Sequence, residues 1–324
     1  MHHHLHADID TVRWGHWDGS ISPILKIKSG DTVTIDTLSG EPNDLPPTTA
    51  GYEILPEHMR VLKAGNGGPG PHFLTGPISI DGARPGDVLE VRIQEIKLRQ
   101  NWGWNLQAPL KGTLPEDFAE LRRIVVPLDR NKNTVKLPWG QELTLSPFFG
   151  NFGVAPPLSW GRLSSKEPRS FGGNMDNKEL GAGATVYFPV FVEGALFCAG
   201  DGHALQGDGE VCLTAIETAL SGTLEFIVRR DLALTVPRAE TADVWITMGF
   251  DEDLDDAAKQ ALREMIRLIT ELTGLSAQDA YTLCSIAADL RVTQMVNLVK
   301  GVHCVISKDK LPAFRNNKLP SHTN

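Results

Sequence analysis

Acidic and imidazole side chains are concentrated in one glycine-rich part of the chain, between residues 171 and 210. This part holds Asp176, Asp201, His203, Asp208 and Glu210. Glycine lets the backbone turn tightly and approach other groups closely. Carboxylates and imidazoles held on such turns can converge on a divalent ion or a polarised water. The concentration of these groups therefore predicts an active site.

Residues 200–210 contain two Gly-Asp-Gly triplets, and His203 follows the first of them. If Asp201 and His203 lie in extended backbone, their side chains share one face of a strand. Together they would supply an oxygen and a nitrogen ligand to one metal ion, as in catalytic zinc sites. A nearby carboxylate, Glu210 or Glu217, is then placed to act as general base for the activated water.

The third predicted metal ligand is His72, which lies in a long segment rich in proline and glycine, residues 41–76. A loop of this length in a compact domain is usually functional or disordered. The glycines and prolines of residues 65–71 predict a loop of defined shape that places His72 at the site. Asp176 is the other residue from outside 200–210 that is expected to reach it. The alternative is a flexible linker with a solvent-facing histidine.

Other interpretations of the acidic segment remain open. Gly-Asp-Gly is a common turn sequence in which the aspartate bonds its own backbone, and His203 could be a structural histidine. An oxygen-rich calcium site is compatible with the composition but not with the spacing of an EF-hand. The sequence has no H-E-x-x-H and no G-x-S-x-G, which argues against a zincin peptidase or a serine-hydrolase elbow. Residues 65–70 do not fit a dinucleotide-binding fingerprint, because no strand precedes them and no helix follows.

Composition restricts the partners. The formal charge of −9 over 324 residues argues against nucleic acid, whose binders need a basic stripe. The sequence contains no run of about 18 apolar residues, so no membrane span is expected. No secretory leader is evident. The four cysteines form no C-x-x-C pair, so we expect buried thiols in a reducing, cytoplasmic setting. Cys198 fits a buried thiol better than a nucleophile.

The secondary structure that must position the site is mainly β up to about residue 235. Alternating or apolar runs predict strands at 26–28, 32–36, 76–80, 88–96, 124–127, 185–192 and 223–230. The aromatic and proline-rich residues 147–157 are predicted as a loop that could wall a small pocket. The N-terminal histidine run, residues 2–6, flows directly into the following sequence and is interpreted as native. Residues 1–235 are thus predicted as a β-rich catalytic body.

The remaining residues, 236–324, predict an α+β portion packed on that body. Apolar residues at three- and four-residue spacing predict a helix over 253–272, which Gly274 closes. A capping box at Ser276 predicts a second helix to about residue 290. Residues 292–299 and 302–306 are predicted as a closing hairpin joined at 300–301.

Several motifs resemble the acetamidase/formamidase family. They are residues 172–177 (GGNMDN), 186–197 (VYFPVFVEGALF), 200–211 (GDGHALQGDGEV), 72–78 (HFLTGPI), 81–87 (DGARPGD) and 249–254 (GFDEDL). The similarity runs from about residue 11 to residue 306. The 200–211 segment is long and specific enough that chance similarity is improbable.

The resemblance implies hydrolysis of a short aliphatic amide, of the formamide or acetamide type, to a carboxylate and ammonia. It also implies a β-sandwich-like or jelly-roll-like main body, a divalent metal, zinc or calcium, and a homodimer or higher homo-oligomer. The motif positions transferred to this chain are His72, Asn174, Asp176, Asp201, His203, Gln206, Asp208 and Glu210.

Our own division of roles among these residues has three parts. We assign His72, Asp201 and His203 to the metal, and Asp176, Glu210 and Glu217 to catalysis. We assign Asn174, Gln206 and Asp208 to substrate binding. Two other functions remain as alternatives: hydrolysis of another small or cyclic amide, and binding of a small molecule without turnover. Paired acids and imidazoles in one site favour chemistry over binding alone.

Overall fold

The computed structural model describes residues 1–312. In these residues the strands are β1 His2–Leu5, β2 Val12–Trp14, β3 His16–Trp17, β4 Leu25–Ile27, β5 Thr32–Asp36, β6 Phe73–Ile80, β7 Val88–Leu98, β8 Trp102–Gln107, β9 Arg122–Asp129, β10 Thr134–Lys136, β11 Glu142–Thr144, β12 Phe148–Gly153, β13 Leu163–Ser164, β14 Pro168–Arg169, β15 Gly172–Asn174, β16 Thr185–Pro189, β17 Phe197–Leu205, β18 Ile216–Glu217, β19 Leu220–Arg229, β20 Arg238–Glu240, β21 Val244–Asp251, β22 Ala288–Gln294 and β23 Lys300–Ser307. The α-helices are α1 Pro56–Ala64, α2 Leu254–Thr273 and α3 Ala277–Ala287.

Two large sheets face each other across the main core. One has nine strands in the order β1-β5-β19-β7-β16-β20-β21-β23-β22, and the other has 12 strands, with β17 paired to β12, β6 and β18. Val33 and Val91 of the first sheet share a buried cluster with Phe149, Phe152 and Phe197 of the second. The prediction of a mainly β protein is therefore confirmed.

Strand β19 shows why the alternating segments form this sheet. Leu220, Leu224 and Phe226 are fully buried, while the alternate residues Ser221, Thr223 and Glu225 are partly exposed. Successive side chains of a strand point to opposite faces, so one face of β19 packs on the core. Burial of each large apolar side chain contributes about 1.5–3 kcal/mol.

The C-terminal residues extend the nine-stranded sheet. Helix α2 begins at the cap Asp253, whose carboxylate accepts from two backbone N–H groups, and ends at Gly274 in a left-handed conformation. Its buried face, including Met265 and Ile269, packs with Val302 of β23. Since β20, β21, β23 and β22 continue the sheet from β16, strands from both sides of residue 235 share one sheet.

Three predictions about the elements are wrong. The predicted loop at 147–157 contains β12, whose residues are all buried; a strand covered on both faces shows no polar alternation. The predicted loop at 41–76 contains α1, which begins with Pro56 and buries His58 and Val61. The closing hairpin forms, but its first strand begins earlier than predicted, because α3 ends at Ala287. Strand β22 spans Ala288–Gln294, β23 spans Lys300–Ser307, and residues 295–299 join them.

Candidate active site

Six of the predicted residues meet in one buried cluster: His72, Asp176, Asp201, His203, Glu210 and Glu217. Strand β17 carries two of them, Asp201 and His203, and β18 carries Glu217. The Nε2 atom of His203 is the centre of the cluster. It lies 3.2 Å from Oε2 of Glu217, 3.5 Å from Oδ2 of Asp201 and 3.7 Å from Oδ1 of Asp176.

His72 reaches the cluster from the start of β6. Its Nε2 atom lies 3.7 Å from the same Oδ2 atom of Asp201 that faces His203. Its Nδ1 atom lies 2.9 Å from Oγ and 3.1 Å from the carbonyl oxygen of Ser165, and 3.3 Å from Nδ2 of Asn151, which donates to the same carbonyl at 2.6 Å. We assign the His72 proton to Nδ1, because the carbonyl oxygen can only accept and the hydroxyl can also accept. This assignment leaves the Nε2 lone pair directed at the cluster.

Gln206 sets the same tautomer on His203. Its Nε2 amide donates to the carbonyl oxygen of Asp176 at 2.7 Å, so its Oε1 atom faces Nδ1 of His203 at 2.8 Å. An amide oxygen only accepts, and Nδ1 of His203 therefore carries a proton. This bond fixes the ring orientation and leaves Nε2 toward the carboxylates, as second-shell partners do in metal sites.

Three of the carboxylates lie on strained backbone. Asp176, Asp201 and Glu210 have φ angles of 47°, 54° and 45°, in the left-handed region that residues other than glycine rarely adopt. Such positions cost about 1–3 kcal/mol each and persist when the surrounding structure holds them. Strain of this kind, repeated at three members of one cluster, is typical of functional sites.

The cluster has the donors of a cation site. Two sets of ligand atoms lie within 4.8 Å of one another: those of Asp176, His203 and Glu210, and those of Asp201, His203 and Glu217. Within the described residues, Oδ1 of Asp176 and Oε2 of Glu210 are buried without a hydrogen-bond partner. Buried carboxylate oxygens without partners are costly, so a divalent ion fits these residues.

Burial and mutual repulsion raise the pKa values of three acids of the cluster. Burial raises the pKa of Asp176 to about 7 and that of Glu217 to about 8, although the His203 imidazole opposes both shifts. Burial and the Asp176 carboxylate hold the pKa of Glu210 well above its ordinary value. Groups whose environments separate their pKa values in this way are candidates for acid and base roles.

Asp201 and the two histidines show the complementary pattern. Burial opposes the charge of Asp201, but the neighbouring His72 and His203 hold its pKa well below the ordinary value. Burial likewise opposes the charge of His203, while Glu217 and Asp201 hold the pKa of this imidazole well above its ordinary value. Burial lowers the pKa of His72, an effect that Asp201 opposes.

The cluster forms one wall of a cavity of about 520 Å³. The cluster members on the wall are His72, Asp201, Glu210 and Glu217. Asn174 also lines the cavity; its Nδ2 atom donates to the carbonyl oxygen of Lys166 at 3.1 Å. Its Oδ1 atom is buried and has no partner among the described residues. The cavity thus combines titratable groups with an available amide acceptor.

Two predicted substrate-binding residues lie elsewhere. Gln206 lies behind His203, as described above, and is absent from the cavity lining. Asp208 forms an ion pair with Lys178 at 2.9 Å, and its side chain is partly exposed. The structure therefore does not bring the Asp208 carboxylate to the cluster.

The sequence interpretation also missed residues that hold the cluster. Asn297 lies on the turn between β22 and β23, where it donates from Nδ2 to the Asp176 carboxylate. Asn151 of β12 donates to the carbonyl oxygen of Ser165 at 2.6 Å and thereby supports the residue that orients His72. No spacing pattern connects these residues to the glycine-rich segment. In contrast, Cys198 is buried, and burial raises its pKa to about 12, which agrees with an inert thiol.

The mainly β fold with buried imidazoles and carboxylates around one cavity is the kind of site expected of a hydrolase. The sequence model of the Acetamidase/Formamidase family matches residues 3–160 and 163–309. The chain therefore belongs to the acetamidase/formamidase family, as its motifs indicate. Membership makes it an amidohydrolase of linear amide C–N bonds.

Individual relatives agree with this membership. A crystal structure of a predicted acetamidase/formamidase from Thermoanaerobacter tengcongensis is 33% identical, with a TM-score of 0.82 over 95% of this chain and 96% of that chain. An acetamidase from Bacillus halodurans is 31% identical, with a TM-score of 0.82 over 96% of this chain and 100% of that chain. A putative formamidase from Schizosaccharomyces pombe is 26% identical over 71% of this chain and 70% of that protein.

Among residues 1–312, no helix is long and apolar enough to cross a membrane.

Proposed function

We propose that this chain hydrolyses short linear amides, of the formamide or acetamide type, to a carboxylate and ammonia at the His203 cluster. The observation that carries this proposal is the convergence of two imidazoles and four carboxylates in one cluster, four members of which line a cavity, in a chain of this family.

We further propose that His72, Asp201 and His203 hold a divalent ion. A mixed set of imidazole nitrogens and carboxylate oxygens suits Zn²⁺, whereas Ca²⁺ prefers six to eight oxygen ligands; we therefore favour zinc. When bound, such an ion polarises a carbonyl and lowers the pKa of water from 15.7 to about 7.

The carboxylates of the chain then move the protons. We assign this role to Glu210, because it lines the cavity and its Oε2 atom has no partner among the described residues. Glu210 takes a proton from water as the water oxygen attacks the amide carbon, and returns it to the nitrogen as the C–N bond breaks. Asp176 and Glu217 assist catalysis by holding His203 between them.

Asn174 is proposed to orient the substrate. Its free Oδ1 atom is an acceptor, and an unsubstituted amide offers two N–H donors. This bond would hold the amide nitrogen beside the cluster, where it becomes the leaving group. Gln206 supports the site through His203. Asp208 stays a weaker proposal for substrate binding, because its carboxylate pairs with Lys178.

The proposal includes a cytoplasmic setting and a homodimer or higher homo-oligomer. The four cysteines are free thiols, which agrees with a reducing compartment. Hydrolysis of another small or cyclic amide, and binding without turnover, are the alternatives. The experiment below tests binding without turnover, whereas a cyclic amide must be followed by its amino-acid product, because its hydrolysis releases no ammonia.

The experiment measures ammonia release from formamide and acetamide before chelation, after chelation, and after return of Zn²⁺ or Ca²⁺. We expect turnover to be lost on chelation and restored by Zn²⁺. Asp201→Asn and His203→Ala are expected to lower kcat by at least about 10²-fold with unchanged circular dichroism. The control is Asp289→Ala, whose side chain is 72% exposed. Normal turnover in both site variants would remove these residues from the mechanism, and saturable binding without ammonia would favour the binding alternative.

A further inference from the structure

We infer that the site proposed to hydrolyse formamide and acetamide has a higher kcat/KM for primary amides with a bulky apolar acyl group, of the arylalkyl or branched alkyl class. The inference rests on the proposed function, since it concerns the part of the substrate that does not react.

The first observation is the size of the cavity. Acetamide has only four non-hydrogen atoms, whereas pockets of about 300–1,000 Å³ accommodate drug-sized ligands. The cavity measures about 520 Å³, so an acetamide molecule at the cluster would leave most of it to water. A substrate that displaces this water gains binding free energy in proportion to the apolar surface that it buries.

The second observation is the apolar part of the cavity wall. The lining includes four members of the cluster and the charged residues Glu41, Asp44, Lys111, Arg123, Lys166 and Lys300. Apolar residues form much of the rest: Leu38, Phe73, Trp104, Leu106, Leu213 and Met295, with the exposed Leu110 and Leu298. A substrate with one polar end and one apolar end fits such a lining, with its amide at the cluster and its acyl group along the leucines.

The third observation is backbone strain in the apolar wall. Leu110, Leu213 and Leu298 have φ angles of 59°, 119° and 66°. A bulky residue with positive φ is a genuine outlier, and strain of this kind concentrates at ligand clamps. Nine non-glycine residues of the described chain have positive φ. Six of them are these three leucines and the three acidic residues of the cluster, and five of these six line the cavity.

Exposure of two of these leucines points the same way. Leu110 is 86% exposed and Leu298 is 63% exposed, although each backbone position would be more stable as glycine. An exposed leucine at a strained position does not contribute to the core. Because Leu110 and Leu298 line the cavity, we assign them contact with an apolar acyl group.

Charges at the cavity favour a neutral acyl group. Arg123 and Asp44 both line it, and they neutralise each other at 2.8 Å. Lys111 and Lys166 are exposed and therefore hydrated. The acidic cluster itself would repel a carboxylate that entered with the amide. An anionic acyl group is the competing possibility that the test includes.

The test compares kcat/KM for ammonia release from acetamide, isobutyramide, phenylacetamide and succinamate, with the metal-loaded enzyme. We expect kcat/KM for phenylacetamide to exceed that for acetamide by at least about tenfold, since one methylene alone contributes about 10–200-fold in an apolar pocket. Succinamate is expected to be the poorest of the larger amides.

Variants connect this preference to the leucines. Leu298→Ala is expected to lower the phenylacetamide-to-acetamide ratio of kcat/KM by about tenfold. The matched control is Leu158→Ala, because Leu158 is 66% exposed but does not line the cavity, and it should leave the ratio unchanged. Leu298→Gly removes the same side chain and relieves the left-handed strain, so it should lose the same selectivity while its Tm rises.

The outcomes separate the two proposals. Acetamide turnover equal to or above that of phenylacetamide, or a ratio unaffected by both Leu298 variants, would overturn the inference and leave the proposed function intact. Faster turnover of succinamate would overturn it in favour of an anionic acyl group. Absence of ammonia from every amide would overturn the proposed function and the inference with it.

Discussion

The two histidines of the cluster present the same ring nitrogen to it. In both rings we assign the proton to Nδ1, which faces the two oxygens of Ser165 in His72 and Oε1 of Gln206 in His203. Both Nε2 atoms therefore face the same Oδ2 atom of Asp201, at 3.7 and 3.5 Å. A fixed tautomer avoids reorganisation when a ligand binds, which explains why these partners matter although they do not line the cavity.

At the same scale, Asn174 provides a prediction about substrate affinity. Asn174→Leu removes the buried Oδ1 acceptor while keeping a similar volume. If the acceptor binds the amide N–H, its loss costs about 0.5–1.5 kcal/mol. We therefore expect kcat/KM for acetamide to fall by about two- to tenfold, mainly through a higher KM.

The control for this variant is Asn131→Leu, which changes an exposed asparagine. Thermal unfolding should be recorded for both proteins, because Asn174 also donates to Lys166. An unchanged KM in a folded Asn174→Leu protein would show that another group orients the amide.

At the scale of elements, strand β12 brings its backbone against the cluster at Gly150. A Cβ atom at this position would lie 2.4 Å from Oδ1 of Asp176 and 2.8 Å from Nε2 of His203. Contacts below 3.0 Å are not tolerated without movement. Strand interiors use glycine where another group approaches closely, and here the approaching groups are the Asp176 carboxylate and the His203 imidazole.

Gly150→Ala is therefore expected to lower kcat by about 10²-fold, the effect of displacing reacting groups by about 1 Å. The matched control is Gly207→Ala, because a Cβ atom at Gly207 would meet nothing within 4 Å. Kinetics and bound-metal content of the two proteins would be compared. Full activity in Gly150→Ala would mean that the Asp176 carboxylate can move away without loss.

The elements also show what can be predicted from sequence. Strand β19 and helix α2 were predictable because each buries one face, which leaves a period of two or of about 3.6 in the sequence. Strand β12 was not, because it is buried throughout and has no period. The glycine-rich motif pointed to Asp201 and His203. Nothing local pointed to Asn297, because its contact with Asp176 joins residues 121 positions apart.

At the scale of the whole molecule, the C-terminal residues complete the site. The backbone N–H of Gly209 donates to the carbonyl of Thr293, and that of Met295 donates to the carbonyl of Gly209, both at 3.0 Å. These bonds hold the turn 295–299 beside residues 207–210, which include Glu210 of the cluster. The proposed division at residue 235 therefore separates two parts of the sheet, but the cavity draws its lining from both.

The buried acids also make the stability of the whole protein depend on pH. In protein stripped of divalent ions, Glu217 has a pKa of about 8 when folded, against an ordinary value of 4.5. Between these values the folded state holds a proton that the unfolded state has released, so stability falls as the pH rises. Asp176 and His203 act in the same direction. His72, whose pKa is lowered, opposes them only below about pH 6.5.

We therefore expect the Tm of the stripped protein to fall between pH 6.5 and pH 8. Zn²⁺ should raise the Tm more at pH 8 than at pH 6.5, because its binding displaces protons from the ligands and stabilises the folded state by mass action. Glu217→Gln imitates the protonated acid and should flatten the decline, whereas Glu53→Gln, a change at an exposed residue, should not. A Tm of the stripped protein that rises over this range would mean that the acids remain charged and paired without an ion.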